Sequence, residues 1–254
     1  MYDAWQVLDT VNRTPWLFLA LCGCAMIANY VWFIDAYRVS LRERIINIPL
    51  WCTFFWFAHD TSVVYRFDTW FNYYDHWFTK FWWIALVFTV SFEILFLIRA
   101  VRFGPAELWP GGGRKGFTAL VLVGVVCFAI MWENVKGALG DPLYLFIFGM
   151  TIVSFPPLVV SHLMKRQHAR GYTAVQMAAY TVMAVCYFVA VCTLLPHIFL
   201  TPLYLGLAVI SAAGGIALTY VVYQMNHNGK LFGLRGEQPA PKAGDAAVPE
   251  LAAP

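Results

Sequence analysis

The stretch WCTFFWFAHDTSVVYRFDTWFNYYDH, residues 51–76, decides how the rest of the chain must be arranged. Its first half is apolar and aromatic enough to lie in lipid, yet it carries the adjacent ionisable residues His59 and Asp60. A carboxylate at the centre of a bilayer costs at least about 2.5 kcal/mol, so such residues usually face a bundle interior or a water-filled cavity. We therefore expect the other helices to pack around this segment.

Composition assigns the chain to the membrane proteins. Its 254 residues are 61% hydrophobic and 12% charged, with a mean hydropathy of +0.64. Soluble domains carry roughly 25% charged residues. The lipid bilayer is the expected partner, whereas a net charge of +3 with dispersed basic residues argues against nucleic acid. The sequence shows no phosphate loop, dinucleotide fingerprint or metal-ligand spacing that would predict a cofactor or a metal.

Seven apolar runs approach the roughly 20 residues that a spanning helix needs. They cover residues 16–37, 46–65, 81–99, 117–137, 142–162, 172–195 and 202–225. The sequence thus predicts an all-α, polytopic integral membrane protein with one seven-helix domain, residues 1–235. Residues 236–254 are rich in Ala and Pro and predict a disordered cytoplasmic tail.

The distribution of basic residues predicts the orientation. The connections after the first, third and fifth runs, together with the tail, hold thirteen Lys and Arg residues, and the opposite side holds four. The positive-inside rule then places the N-terminus outside and the C-terminus in the cytoplasm. We expect a multi-pass protein of the cell membrane.

Asp60 is the first candidate for a catalytic residue. Thr53, Trp56 and Asp60 fall at i, i+3 and i+7 on one face of the predicted second span, and His59 is rotated by about 100° from Asp60. His59 therefore need not act together with Asp60. An Asp in an apolar pocket is suited to donate a proton. The alternative is a carboxyl that hydrogen-bonds two helices together.

Two further acids lie within predicted spans. Glu93 comes about 12 residues into the third span, with no basic residue one turn away, and either acts in a site or hydrogen-bonds a neighbouring helix. Glu133 lies near the outer end of the fourth span. Because Lys136 follows it by one turn, an interfacial ion pair competes with a catalytic role.

Aromatic residues make up 18% of the chain. Aromatic rings stabilise cations by about 0.5 to 2 kcal/mol each, so a deep aromatic lining would favour a carbocation. Trp56 and Phe57 are the candidates for such a lining. Trp132 and Asn134 flank Glu133 and are the other candidate substrate contacts.

The chain resembles the small seven-helix transmembrane terpene cyclases of fungal meroterpenoid and indole-diterpene pathways and their bacterial relatives. The local likeness lies in AWQVLDTVNRTPW at 4–16 and LRERIINIPLWCTFFWFAHD at 41–60. The resemblance implies an acid directly after a Trp on the second span that protonates an epoxide or alkene, aided by an acid on the last span. Here Phe57 follows Trp56, Asp60 is the nearest acid, and the seventh predicted span contains no acid.

The function expected from these observations is a cofactor-independent membrane enzyme. It would carry out proton-initiated cyclisation or isomerisation of a lipophilic, prenyl-like epoxide or alkene. Asp60 would be the general acid, Glu133 or Glu93 the complementary acid or base, and Trp56 and Phe57 would line the path of the cation.

The alternative is a transporter or ligand sensor in which Asp35, Asp60 and Glu93 bind a proton or a polar ligand. The helix break expected at 156–157 and the close helix approach expected at 214–215 would suit moving helices. A third interpretation is an assembly subunit of another membrane enzyme. The sequence does not predict an oligomeric state.

Overall fold

The computed structural model describes residues 2–195, 197–228, 230–231 and 234–235. It is an all-α bundle, and a pair of two-residue antiparallel strands follows the last helix. The helices are α1 (Ala4–Arg13), α2 (Pro15–Glu43), α3 (Leu50–Val64), α4 (Trp77–Leu108), α5 (Gly113–Leu139), α6 (Leu145–Arg166), α7 (Ala174–Leu194) and α8 (Pro202–Asn228); the strands are β1 (Lys230–Leu231) and β2 (Leu234–Arg235). A π-helix (Thr69–Tyr73) and a 3-10 helix (His197–Leu200) lie in two connections.

Six of these helices, within the described residues, are long and apolar enough to cross a membrane: α2, α4, α5, α6, α7 and α8. These six helices coincide with six of the seven predicted runs, and their length and apolar composition are those of a multi-pass membrane protein. The predicted disordered tail, 236–254, lies outside the described residues.

The run predicted at 46–65 forms the shorter helix α3. Pro49 precedes the helix in an extended conformation and fixes its start, and the helix ends at Val64. Its 15 residues span about 22 Å, less than the roughly 30 Å of a bilayer core. Helix α3 contacts α4, α5 and α6, and nine of its side chains are buried, so protein surrounds much of it.

Close packing of α2, α7 and α8 forms the other side of the bundle. Helix α2 lies along α7, and α8 packs on both α7 and α6. A Cβ on Gly214 would lie 2.8 Å from Pro156 Cβ, and one on Gly215 would lie 2.5 Å from Thr181 Oγ1. The predicted close approach at this glycine pair is therefore confirmed, because no larger residue fits without a shift.

The short amphipathic helix α1 closes one end of the bundle, called here the α1 end. Val7 and Val11 lie on the inner face of α1 and are fully buried. Asn12 Oδ1 lies 2.9 Å from Nε2 of His76, the residue that precedes α4. Ahead of α1, the buried hydroxyl of Tyr2 donates to Asp141. Asp141 also accepts the backbone N–H groups of residues 145 and 147, so one carboxylate ties the chain start to the first turn of α6.

Candidate functional site

Asp60 and Glu93 line the same internal cavity. Helices α2, α3, α4, α6 and α7 contribute its walls. Both side chains are buried, with Asp60 exposing 5% and Glu93 exposing 1% of its surface. The structure thus brings together two carboxyl groups that lie 33 residues apart in the chain and that were both candidates from the sequence.

Aromatic rings form much of the wall around the two carboxyl groups. The rings that line the cavity are those of Trp32, Phe33, Trp56, Phe148 and Tyr180. Trp56 is held in place by its indole N–H, which donates to the Thr151 carbonyl at 3.1 Å. The rings of Trp32 and Trp56 meet edge to face, with centroids 5.1 Å apart. Because indole and phenyl faces attract positive charge, this lining suits a cation.

Both oxygens of the Asp60 carboxyl group have polar partners. His59 Nδ1 lies 2.6 Å from Asp60 Oδ1, and the Thr89 hydroxyl donates to Asp60 Oδ2. His59 is fully buried. The two neighbours therefore meet although their side chains leave the helix in different directions, a contact that was not predicted from the sequence.

Glu93 lies deeper in the bundle on α4. Leu86, Thr89 and Glu93 follow one another at i, i+3 and i+7, so one face of α4 presents all three to the cavity. Glu93 Oε2 is buried and has no hydrogen-bond partner among the described residues. A buried, unpaired carboxylate oxygen is costly, so this position calls for a water molecule, a proton or a ligand.

The cavity is small in this conformation. Its volume is about 30 Å³. That volume holds one or two water molecules, whereas a pocket for a small organic ligand occupies roughly 300–1,000 Å³. A larger ligand could enter only if wall residues moved, and the flexible side chains of Met26 and Met183 belong to that wall.

Glu133 belongs to a separate polar cluster at the α1 end. Its carboxylate accepts two hydrogen bonds from Arg66, at 3.0 and 2.5 Å, and a third from Ser62 at 2.5 Å. The partner is thus Arg66 rather than the expected Lys136, whose ammonium lies 4.5 Å from the ring centroid of Tyr144. Glu133 exposes 41% of its side chain and is not among the residues that line the Asp60 cavity.

The remaining sequence candidates occupy different environments. Trp132 is fully buried, and its ring meets that of His59 edge to face at 5.3 Å. Phe57 is half-buried and does not line the cavity. Asn134 is exposed, and its amide donates to the carbonyl of Ile130 within the same helix. Of the four proposed substrate contacts, Trp56 is therefore the one that the cavity includes.

Sequence reasoning missed several polar residues of this region. Thr89 touches Asp60, Asn29 lines the cavity, and Ser62 and Tyr144 link Arg66 to the bundle interior. The spacing of Thr89 and Glu93 by four residues places both on one face of a helix, so Thr89 could have been predicted from the sequence as a neighbour of the site. Nothing in the sequence, in contrast, indicates that Tyr144 lies beside α3.

The described residues contain no cluster of metal ligands. In the part of the chain that the structure describes, no group of three or more His, Cys, Asp or Glu residues could hold a metal ion. Asp35, a candidate in the transporter interpretation, accepts a hydrogen bond from Thr173 at 2.5 Å and does not line the cavity.

Comparison with known proteins leaves the ancestry of the chain open. No family model, curated protein or solved structure matches it. The resemblance to transmembrane terpene cyclases therefore stays a hypothesis, and the geometry of the Asp60 cavity is the basis for any assignment.

Proposed function

We propose that this chain is a membrane enzyme that protonates a lipophilic, prenyl-like epoxide or alkene and so starts a cyclisation or isomerisation. The observation that carries the proposal is the meeting of Asp60 and Glu93 in one aromatic-lined cavity. Paired carboxyl groups with different surroundings suit acid and base roles in one reaction. The resemblance to transmembrane cyclases is consistent with this chemistry but rests on sequence alone.

Asp60 is the proposed general acid. A π bond or epoxide oxygen takes the proton from Asp60, which leaves a carboxylate on the enzyme and a cation on the substrate. After ring closure or rearrangement, the substrate cation loses a proton to a carboxylate, either the ionised Asp60 or a Glu93 that is ionised beforehand, and a neutral product results. The product has the mass of the substrate. Trp32, Phe33 and Trp56 surround the position of the cation.

The protein is proposed to span the membrane seven times, with α2 to α8 as the spans. Helix α3 would be the short inner span, and the α1 end would face outside, with the C-terminus in the cytoplasm of a cell-membrane protein. The excess of basic residues on the other side supports this orientation.

Substrate entry requires the cavity to enlarge by about tenfold or more, given its volume of about 30 Å³. We propose that the substrate displaces water and shifts the two methionine side chains of the wall. Binding is then expected to be slow relative to diffusion, because a wall movement must precede it.

The test is conversion of a panel of prenylated epoxides and polyenes by the purified full-length chain in lipid vesicles. Products of unchanged mass are expected from the wild type. Asp60→Asn should abolish them, and Glu93→Gln should reduce or redirect them. Asp35→Asn is the matched control, because it alters an Asp on a spanning helix that does not line the cavity. Equal conversion by wild type and Asp60→Asn would end the assignment.

A second candidate function is supported by the cavity volume itself. A space that fits water and holds two carboxyl groups also suits a proton-coupled transporter or sensor. This candidate predicts proton flux in vesicles that Glu93→Gln removes, with no conversion of any compound in the panel.

A further inference from the structure

We propose that a proton relay runs from the α1 end of the bundle to Asp60 through Glu133, Ser62, Tyr144 and His59. The relay rests on the proposed function only in that the proton delivered to Asp60 is then given to a substrate. The need for a relay follows from the contacts of Asp60. Both of its oxygens contact other polar groups in the cavity wall, so when the substrate cation gives its proton to Glu93 rather than back to Asp60, Asp60 regains a proton through one of those neighbours.

The surface end of the relay is Glu133. Its side chain is 41% exposed and can exchange protons with water, while Arg66 holds it in place with two hydrogen bonds. The Ser62 hydroxyl is the next group inward and lies 2.5 Å from Glu133 Oε1. The Tyr144 hydroxyl lies 2.9 Å beyond Ser62 Oγ. Three oxygen atoms thus form a continuous chain from the surface into the bundle.

Helix α3 brings this chain to His59. His59 and Ser62 stand at i and i+3 on one face of α3, and Arg66, just after the end of the helix, donates to the carbonyl and the hydroxyl of Ser62 at 2.7 and 2.6 Å, so the three residues form a polar stripe. The ring of Tyr144 meets that of His59 edge to face, with centroids 5.7 Å apart. On its other side, His59 Nδ1 contacts Asp60. His59 is therefore the junction between the stripe and the cavity.

The proposed relay includes one water molecule beside His59. His59 Nε2 and Trp132 Nε1 are both buried and lack hydrogen-bond partners within the described residues, and their rings lie 5.3 Å apart. Buried polar atoms of this kind are usually satisfied by internal water. A water that accepts from the indole N–H and donates to His59 Nε2 would connect His59 to the Tyr144 hydroxyl.

The proton balance of the relay is simple. A proton arrives at His59 Nε2, and the proton on Nδ1 passes to the Asp60 carboxylate. The ring ends neutral with its proton on Nε2, and a turn of the imidazole that exchanges which nitrogen faces Asp60 restores the starting position of the proton. One proton enters from the surface for each proton that passes from Asp60 through the substrate to Glu93, and Glu93 releases that proton to water in the cavity. Within the protein only N–H and O–H bonds change.

Hydrogen–deuterium exchange of the Asp60 carboxyl group tests the relay without any substrate. The full chain in lipid vesicles is transferred to D2O, and infrared spectroscopy follows the carboxylic acid band that Asp60→Asn removes, at a pH where that band is present. Tyr144→Phe and Ser62→Ala should each slow its exchange by about tenfold or more, which corresponds to about 1.4 kcal/mol in the barrier. Tyr204→Phe is the control, since it removes another fully buried tyrosine hydroxyl, one that contacts Leu145 and Tyr187.

The outcomes separate the relay from the enzyme assignment. Equal exchange rates in wild type, Tyr144→Phe and Ser62→Ala would overturn the relay. Slowing by Tyr204→Phe that is as large as that by Tyr144→Phe would also overturn it, and so would the absence of any carboxylic acid band that Asp60→Asn removes. Slowed exchange without turnover of any substrate would support the relay and count against the enzyme. If Tyr144→Phe fails to fold by circular dichroism, Ser62→Ala alone decides.

Discussion

The geometry of the ion pair between Arg66 and Glu133 predicts the coupling energy between the two side chains. Arg66 donates two hydrogen bonds to Glu133 and exposes 18% of its side chain, while Glu133 exposes 41%. Hydrogen bonds to charged groups contribute about 1.5–3 kcal/mol when buried, and fully exposed pairs about 0.2–1 kcal/mol. Because this pair lies between the two limits, we expect a coupling energy of about 1–2 kcal/mol.

A double-mutant cycle measures this coupling. The free energy of unfolding of the full chain is determined in mixed micelles by titration with a denaturing detergent, for Arg66→Gln, Glu133→Gln and the double variant. A parallel cycle of Lys136→Gln with Glu133→Gln is the control, because Lys136 lies against the ring of Tyr144. Its coupling should stay below about 0.5 kcal/mol. A larger coupling of Glu133 to Lys136 than to Arg66 would show that Arg66 is not the main partner of Glu133.

Three other predictions concern the scaffold. Burial lowers the pKa of His76, whose neutral ring caps α4, so its contribution to stability is present above the unfolded pKa of about 6.5 and is lost as the pH falls. In thermal unfolding, wild type should lose stability between pH 7.5 and 5 and His76→Asn should lose less, and equal losses would contradict this. Gly215→Ala should lower the free energy of unfolding by about 1–3 kcal/mol, because the added methyl group clashes with Thr181. Gly206→Ala is the control and should be neutral or stabilising, because a Cβ there meets nothing within 4 Å. Equal effects of the two substitutions would contradict this. Asp141→Ala removes the acceptor of buried N–H groups and should cost about 2–4 kcal/mol of unfolding free energy, and a cost near zero would show that the cap is not needed.

The helices could be predicted from the sequence because spanning segments must satisfy their backbone internally and meet lipid with apolar side chains. Composition over about 20 residues therefore identifies six of them. The run at 46–65 forms a helix that is shorter than the run, because hydropathy does not register where a helix begins. Pro49 sets that start, and the apolar residues before it are not part of α3.

The site was harder to predict for two physical reasons. The separation of His59 from Asp60 rested on the directions in which side chains leave a helix, yet adjacent polar side chains can bend toward each other, and these two do at 2.6 Å. The pairing of Asp60 with Glu93, and of Glu133 with Arg66, depends on which helices are neighbours. One sequence without its relatives carries no signal for such long-range packing.

The central claim is that Asp60 donates the proton in an aromatic cavity it shares with Glu93. Its most direct test compares wild type, Asp60→Asn and Asp35→Asn in the conversion of prenylated epoxides and polyenes. Our account predicts products of unchanged mass from wild type and Asp35→Asn, and a loss of at least about 100-fold in Asp60→Asn, the lower end for a general acid. Undiminished product from correctly folded Asp60→Asn would contradict it.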